Sequence, residues 1–148
     1  MTSPRLRVLF LCTGNAARSQ MAEAIFRQLS GGRADVFSAG TAPAPAVLPA
    51  AKAVLEEQFG VDTTTLAPKS VDRFIRDRFD FVITVCDNAN ESCPAFPGRT
   101  IRIHHSFEDP PAPGVGSDEH RLSIFRRVRD EIREWLRTEF IPAATKAK

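Results

Sequence analysis

Residues 8–19 constrain the fold of this chain more than any other stretch. The apolar run at residues 8–11 predicts a buried strand, and a helical pattern opens at Arg18. Between them lie Cys12 and a short turn with Gly14 and Asn15, two residue types that adopt the positive φ angles such a turn requires. A loop of this kind directs several backbone N–H groups inward, and the start of the following helix adds partial positive charge. The stretch therefore predicts a binding loop for an anion.

The side chains of this loop indicate its chemistry. Arg18 carries a planar fork of donors that fits a tetrahedral oxyanion two oxygens at a time. An arginine at a helix N-terminus opposes the helix dipole, which argues that it is there for a ligand. Cys12 lies in the same positive field and is expected to act as a nucleophile, the alternative being a buried structural cysteine beside a solvated arginine. The predicted oxyanion-binding residues are Thr13, Gly14, Asn15, Ala16, Ala17, Arg18 and Ser19.

Strand and helix patterns alternate along the rest of the chain. Strands are predicted at residues 5–11, 34–38, 80–85 and 100–103, and helices at 18–29, 47–59 and 118–140. Residues 87–98 are predicted to be a loop or a frayed helical turn, and Ser70 to cap a short helix. This order predicts an α/β fold, a three-layer, open, parallel four-stranded sheet with helices on both faces. Ligands of such sheets bind at the carboxyl ends of the strands, where Cys12 and Cys86 lie.

Composition limits the class of protein. A length of 148 residues predicts one domain, residues 1–148, and the default expectation is a monomer. The sequence has neither an 18-residue apolar run nor a signal-peptide pattern, so a cytoplasmic protein without a membrane contact is expected. The net charge of +2, with acidic and basic residues interleaved, predicts no nucleic-acid binding.

No metal or cofactor is expected from the sequence. The cysteine spacing does not resemble the short cysteine pairs of zinc sites, and no nucleotide-binding loop ending in Gly-Lys-Ser or Gly-Lys-Thr is present. His104 and His105 are adjacent in a predicted strand end and should point to opposite faces. The three cysteines are expected to be thiols rather than a disulfide framework.

A reaction at Cys12 requires a proton donor for the leaving oxygen. Asp109 is the candidate, because its loop follows a predicted strand on the correct side of the sheet and Pro110 and Pro111 stiffen that loop. Glu108 is the alternative acid, and both acids in a solvated loop are a further alternative.

Cys86 and Cys93 distinguish two chemistries. A phosphatase needs only Cys12, whereas a reductase needs further thiols to supply two electrons. A second thiol can attack the adduct on Cys12, and a third can move the resulting disulfide outward. With Cys12 in its loop, the relay is favoured over the alternative that Cys86 and Cys93 are bystanders.

Several segments together resemble a known family. They are residues 11–23, Ser38-Ala39-Gly40, residues 82–86 with Cys93-Pro94, residues 107–110 and residues 125–132. The combination resembles the arsenate reductases built on the low-molecular-weight tyrosine phosphatase fold, from the first strand to the last helix.

The resemblance implies a role for each candidate residue. Cys12 would attack arsenate, which Arg18 and the loop amides would hold, with phosphate or sulfate as competing oxyanions. Ser19 would hydrogen-bond the Cys12 thiolate, Asn15 would hold the shape of the loop, and Asp109 would be the acid. Cys86 would attack the adduct and release arsenite. Cys93 would then take over the disulfide with a rearrangement of the intervening loop, and thioredoxin would reduce the pair; glutaredoxin with a small thiol is the alternative reductant.

The chain departs from the family in some positions. Some relatives carry Ser-Cys where Ala16 and Ala17 stand here. Some relatives bind potassium through residues that match Asn15, Ser38 and Glu23 together with an aspartate; Val71 stands at the position of that aspartate, so no tight potassium site is expected.

Two other functions stay open at this point. A tyrosine phosphatase of the same fold is disfavoured because Pro111-Ala112 follows Asp109-Pro110 and the chain contains no tyrosine. The other is a thiol-based module that binds arsenite or a metal, which would need the cysteines but neither Arg18 nor Asp109.

Overall fold

The computed structural model describes residues 5–147, so residues 1–4 and 148 of the predicted domain lie outside the described part. The strands are β1 (Leu6–Cys12), β2 (Ala34–Gly40), β3 (Phe81–Thr84) and β4 (Ile101–His104). They form one sheet in the order β2-β1-β3-β4, and every neighbouring pair is parallel. The predicted open, parallel, four-stranded sheet is therefore confirmed.

The helices largely follow the predicted pattern. They are α1 (Arg18–Leu29), α2 (Pro49–Phe59), α3 (Asp87–Glu91), α4 (Asp118–Trp135) and α5 (Ile141–Ala147), with a 3-10 turn at Val71–Arg73. The predicted start of α2 at residue 47 is wrong by two residues, because Leu48 is extended and Pro49 takes the first helical turn, where its missing N–H costs nothing. Gly60 ends α2 with a left-handed φ of 60°, and Ser70 caps the 3-10 turn, as predicted.

The C-terminal helix differs from the single helix predicted over residues 118–140. Its hydrogen bonding changes to a π-helical segment at Leu136–Phe140 and then continues as α5. The segment buries Leu136 and Phe140 against the core. Phe140 contacts Phe81 of β3 with ring centroids 5.1 Å apart, so the irregular turn positions a core aromatic ring.

The apolar core explains why β1 is central in the sheet. Residues 8–11 are fully buried, as expected for a strand that is covered on both faces. On one face Phe10 contacts Phe26 of α1, and α1, α2 and α4 pack against one another. The other face carries an aromatic cluster of Phe37, Phe74, Phe79 and Phe96, which includes the end of the 3-10 turn. In residues 5–147 no helix is both long and apolar enough to cross a membrane.

Candidate active site

Hydrogen bonds to its backbone carbonyl groups hold the loop between β1 and α1 on its outer side. The carbonyl oxygens of Cys12, Thr13, Gly14 and Ala16 accept hydrogen bonds from the backbone N–H groups of residues 41, 42, 44 and 48, at 2.9–3.2 Å. In a trans peptide the C=O and the following N–H point in opposite directions. The N–H groups of residues 13, 14, 15 and 17 therefore point to the inner side of the loop, which gives it the anion-binding geometry that the sequence predicted.

The sharp turn of the loop depends on Asn15. Its φ is 52°. Gly14, the other residue expected to supply a positive φ, does not have one. Asn15 is fully buried, and its amide nitrogen donates to Ser19 Oγ at 2.7 Å and Ser38 Oγ at 3.0 Å. Its Oδ1 accepts from the backbone N–H of Lys69 at 2.9 Å. Asparagine is one of the few residues that tolerate this conformation, and here its side chain also ties the loop to β2 and to residue 69.

Gly40 at the end of β2 is a structural requirement that the analysis of the sequence did not assign. A Cβ atom at this position would lie 2.5 Å from the carbonyl oxygen of Thr13 and 3.1 Å from the backbone nitrogen of Asn15. Gly40 pairs in register with Cys12, so the end of β2 lies against the loop. The signal was the glycine at the end of the Ser38-Ala39-Gly40 segment.

Cys12 is buried at the centre of this loop. Its sulfur accepts a hydrogen bond from the backbone N–H of Asn15 at 3.1 Å and lies 2.8 Å from Ser19 Oγ. Since Ser19 Oγ already accepts the amide hydrogen of Asn15, its own hydroxyl hydrogen is available to the sulfur. Two hydrogen-bond donors are therefore directed at this one sulfur.

Arg18 opens α1 and reaches the loop that follows β4. One guanidinium nitrogen donates to the carbonyl of Phe107 at 3.0 Å, and another lies 3.4 Å from Asp109 Oδ1. Asp109 is otherwise exposed, whereas the neighbouring Glu108 binds Arg127 of α4. Of the two candidate acids, only Asp109 contacts Arg18, so these two predicted site residues lie together.

The two other cysteines flank α3 in the sequence, Cys86 before it and Cys93 after it. Cys86 is buried at the end of β3, and its sulfur is 3.4 Å from Thr13 Oγ1 in the oxyanion loop. Cys93 is half-buried two residues after α3, and its sulfur lies 3.5 Å from the carbonyl oxygen of Pro94. Burial raises the pKa of the Cys93 thiol, an effect that Arg102 partly offsets. All three cysteines are free thiols, as predicted.

A buried carboxylate with two cationic partners, Glu23, lies behind the loop. Ser38 Oγ donates to Glu23 Oε1 at 2.7 Å, the same oxygen is 3.8 Å from Lys69 Nζ, and Arg27 binds the other oxygen at 3.0 Å. Burial lowers the pKa of Lys69, and the charge of Glu23 opposes this shift. Two protein cations thus already face Glu23, so the residues present do not fit an additional potassium ion.

The adjacent histidines diverge, as predicted. His104 Nδ1 lies 2.8 Å from Thr84 Oγ1, whereas His105 stacks on Trp135 with ring centroids 4.8 Å apart. Among residues 5–147 no three histidine, cysteine or acidic side chains are grouped so that they could hold a metal ion.

Comparisons with known proteins agree with this geometry. The family model of the low molecular weight phosphotyrosine protein phosphatases matches residues 7–146. An arsenate reductase of Halalkalibacterium halodurans is 40% identical over 131 residues, which cover 88% of this chain and 92% of that protein. An arsenate reductase of Bacillus subtilis is 39% identical over 125 residues, covering 84% of this chain and 88% of that protein.

Similar structures come from the same group of proteins. An arsenate reductase in its phosphate-binding state matches 97% of this chain and 99% of its own, with 28% identity and a TM-score of 0.71. A thioredoxin-dependent arsenate reductase of Corynebacterium glutamicum matches 100% of this chain and 66% of its own longer chain, with 29% identity and a TM-score of 0.66. The chain therefore belongs to the low molecular weight phosphotyrosine protein phosphatase family, and within that family it is similar to arsenate reductases.

Proposed function

We propose that this enzyme reduces arsenate to arsenite, with Cys12 as nucleophile and Cys86 and Cys93 as a thiol relay. The observation that carries the proposal is the position of Cys86, whose sulfur touches Thr13 of the oxyanion loop at 3.4 Å. A phosphatase has no use for a second thiol at this point, whereas a reductase needs one within reach of the nucleophile. The arsenate reductases at about 40% identity and the phosphate-binding structural relative support the same substrate class.

The first step joins arsenic to Cys12. The inward N–H groups and Arg18 bind the oxyanion, and the Cys12 thiolate attacks the arsenic(V) centre. An oxygen leaves as water after taking a proton, for which Asp109 is the proposed acid because its carboxylate is directed at Arg18. A fixed set of donors around the oxyanion stabilises the charge that develops during this substitution.

The second step supplies the two electrons. The Cys86 thiolate attacks the Cys12 sulfur, a Cys12–Cys86 disulfide forms, and the As–S bond breaks. The electron pair of that bond stays on arsenic, which leaves as arsenic(III) in arsenite. Cys86 is buried beside the loop before the reaction, so this attack requires little movement of β3.

The third step moves the disulfide away from the oxyanion loop. The Cys93 thiolate attacks Cys86, a Cys86–Cys93 disulfide forms, and Cys12 leaves as the thiolate. Burial disfavours the charged form of Cys93 in the closed structure, so opening of α3 would both bring the sulfurs together and favour the thiolate.

We propose thioredoxin as the reductant of the Cys86–Cys93 pair. The support is the pair of thiols on the two sides of α3 and a structural relative described as thioredoxin-dependent. The test is arsenate-dependent oxidation of NADPH with thioredoxin and thioredoxin reductase. Turnover that is lost in Cys93→Ser is expected. Turnover only with glutaredoxin and a small thiol would reject thioredoxin, and failure with every reductant would reject the reductase.

A matched pair of variants tests the acid. Asp109→Asn should lower the rate of arsenate reduction by 10²–10⁴-fold, the usual contribution of a general acid, roughly estimated. Glu108→Gln should change it far less, because Glu108 binds Arg127 rather than the loop. Equal losses in the two variants would mean that the loop, and not the carboxylate of Asp109, determines the rate.

The second candidate function is hydrolysis of phosphate monoesters. Cys12, Arg18 and Asp109 have the arrangement that this reaction requires, and the family is a phosphatase family. We propose it as a weak side activity, since the chain has no tyrosine to stack on an aryl substrate. Robust hydrolysis of an aryl phosphate without any arsenate turnover would make it the main activity. Arsenite binding without turnover of either substrate would indicate the thiol-based binding module.

A further inference from the structure

His104 connects the end of the sheet to the segment that separates Cys86 from Cys93. Its Nδ1 lies 2.8 Å from Oγ1 of Thr84, the last residue of β3, and its Nε2 lies 2.9 Å from Oδ1 of Asp87, the first residue of α3. Thr84 and His104 are in register on neighbouring strands, so the backbone of the sheet fixes the imidazole. The ring thus bridges a rigid element and the residue immediately after Cys86.

Few other contacts hold α3. The helix has five residues and buries only Ala89 among them. Helices of this length are not stable on their own. Asn90 Oδ1 accepts a long hydrogen bond of 3.4 Å from Thr84 Oγ1. The bond between His104 and Asp87 is therefore the shorter of these two side-chain hydrogen bonds of α3, and it lies at the N-terminal end of the helix.

We propose that His104 is a positioning residue for the thiol relay, because its bond to Asp87 fastens α3 in the dithiol state and must open before Cys93 can reach Cys86. This inference rests on the proposed relay and names the contact that controls it. The His104–Asp87 contact acts as a clasp on α3.

The clasp affects the chemistry through the states in which Cys93 is not yet bonded to Cys86. In the transfer step the S–S bond between Cys12 and Cys86 breaks while one between Cys86 and Cys93 forms, so no electrons enter or leave. A contact present in the dithiol and lost in the disulfide stabilises the reduced form, and it therefore raises the reduction potential of the Cys86–Cys93 pair. Removing the clasp should lower that potential and accelerate the transfer.

Two substitutions at one position separate the clasp from the rest of the ring. In His104→Asn the side-chain nitrogen replaces Nδ1, so the contact with Thr84 can persist while the contact with Asp87 is lost. In His104→Gln the side-chain nitrogen replaces Nε2, so a donor for Asp87 is retained. His104→Gln is thus the conservative variant that should rescue the function.

The experiment measures the potential of the Cys86–Cys93 pair in dithiothreitol buffers, in full-length protein carrying Cys12→Ser so that only this pair can form. His104→Asn should shift the equilibrium about two- to fivefold towards the disulfide, about 10 to 20 mV more negative, since the contact is largely exposed and tenfold corresponds to ~30 mV for a two-electron couple. His104→Gln should stay close to the parent protein. A potential in His104→Asn equal to that of the parent would overturn the proposal, and so would an equal shift in both variants.

Amide hydrogen exchange of α3 in the reduced protein provides a second measurement that does not require the disulfide. Exchange at residues 88–91 should be several-fold faster in His104→Asn than in His104→Gln and the parent, and unchanged exchange would also overturn the proposal. Inorganic phosphate binding by variants that retain Cys12 checks that the loop is intact. A parent protein that forms no Cys86–Cys93 disulfide would refute the relay, whereas the exchange data still decide on the clasp.

Discussion

Asn15 provides a quantitative test of how the oxyanion loop is built. It combines a left-handed backbone, with φ of 52°, and a buried amide that binds Ser19, Ser38 and the backbone N–H of Lys69. Asn15→Gly removes the side chain but suits the backbone. Asn15→Ala removes the side chain and also strains the backbone, so the difference between the two variants isolates the conformational cost.

The magnitudes follow from the groups left without partners. Both variants leave the partly buried N–H of Lys69 without its acceptor, which costs about 1 kcal/mol. Alanine adds about 1–2 kcal/mol for the left-handed conformation, whereas glycine loses more entropy on folding, about 0.5–1 kcal/mol. Asn15→Ala should therefore be less stable than Asn15→Gly by about 0.8 kcal/mol at the middle of these ranges, or roughly 1.5–3 °C in Tm for a domain of this size.

Thermal unfolding and arsenate turnover measured on the same samples check the reasoning. Both variants should lose turnover at temperatures where they are still folded, because Ser19 loses the donor that orients its hydroxyl towards Cys12. The refuting result is an Asn15→Ala protein as stable as Asn15→Gly, which would mean that the positive φ costs no more than the entropy that glycine loses on folding. Wild-type turnover in both variants would mean that the amide does not orient the nucleophile.

Three further predictions concern residues outside the oxyanion loop. Gly40→Ala should weaken phosphate binding by at least about tenfold in calorimetric titrations, because the new Cβ would collide with a carbonyl oxygen of the loop. Glu57→Gln should lower the free energy of unfolding by about 0.5–1 kcal/mol in urea titrations, since the buried Arg129 loses one of its two carboxylate partners and keeps Asp130. Hydrogen bonds from Arg126 and Arg129 lower the pKa of Glu57 in the folded protein. The contribution of Glu57 to stability is therefore present above its unfolded-state pKa and is lost as the pH falls through its folded-state pKa. The Glu57→Gln protein should lack this loss of stability. Alkylation of Cys93, in a chain whose other cysteines are serine, should have its midpoint above the usual thiol value of about 8.5, because burial raises its pKa.

Local patterns explain why much of the fold was predictable. The apolar run of β1 has no alternative to burial, and its sequence alone indicates a central parallel strand. The start of α1 at Arg18 follows from the turn before it, and Gly60 identifies the end of α2. The same reasoning overestimated Gly14, because conformational freedom alone does not reveal that the side chain of Asn15 has four partners across the fold.

Contacts between distant parts of the chain were beyond the reach of such patterns. The sequence favoured Asp109 and kept Glu108 as the alternative, and the contacts of Asp109 with Arg18 and of Glu108 with Arg127 on α4 separate them. Likewise, the distance between Asp87 and His104 depends on the pairing of β3 with β4. The need for glycine at position 40 arises from the approach of β2 to the loop, which no local preference encodes.

The distribution of buried contacts divides the proposed relay into a rigid half and a labile half. Asn15, Ser19 and Ser38 are fully buried and hydrogen-bonded to one another, as expected where donors must be fixed before an oxyanion arrives. The segment after Cys86 has one buried residue in α3 and a half-buried Cys93, as expected of a part that opens at low cost. Cys86 belongs to both halves, because its sulfur touches the loop while its backbone begins α3. Substitutions in the loop should therefore slow the formation of the adduct, whereas those at residues 87–93 should change only the transfer of the disulfide, and burst kinetics with arsenate can tell the two apart.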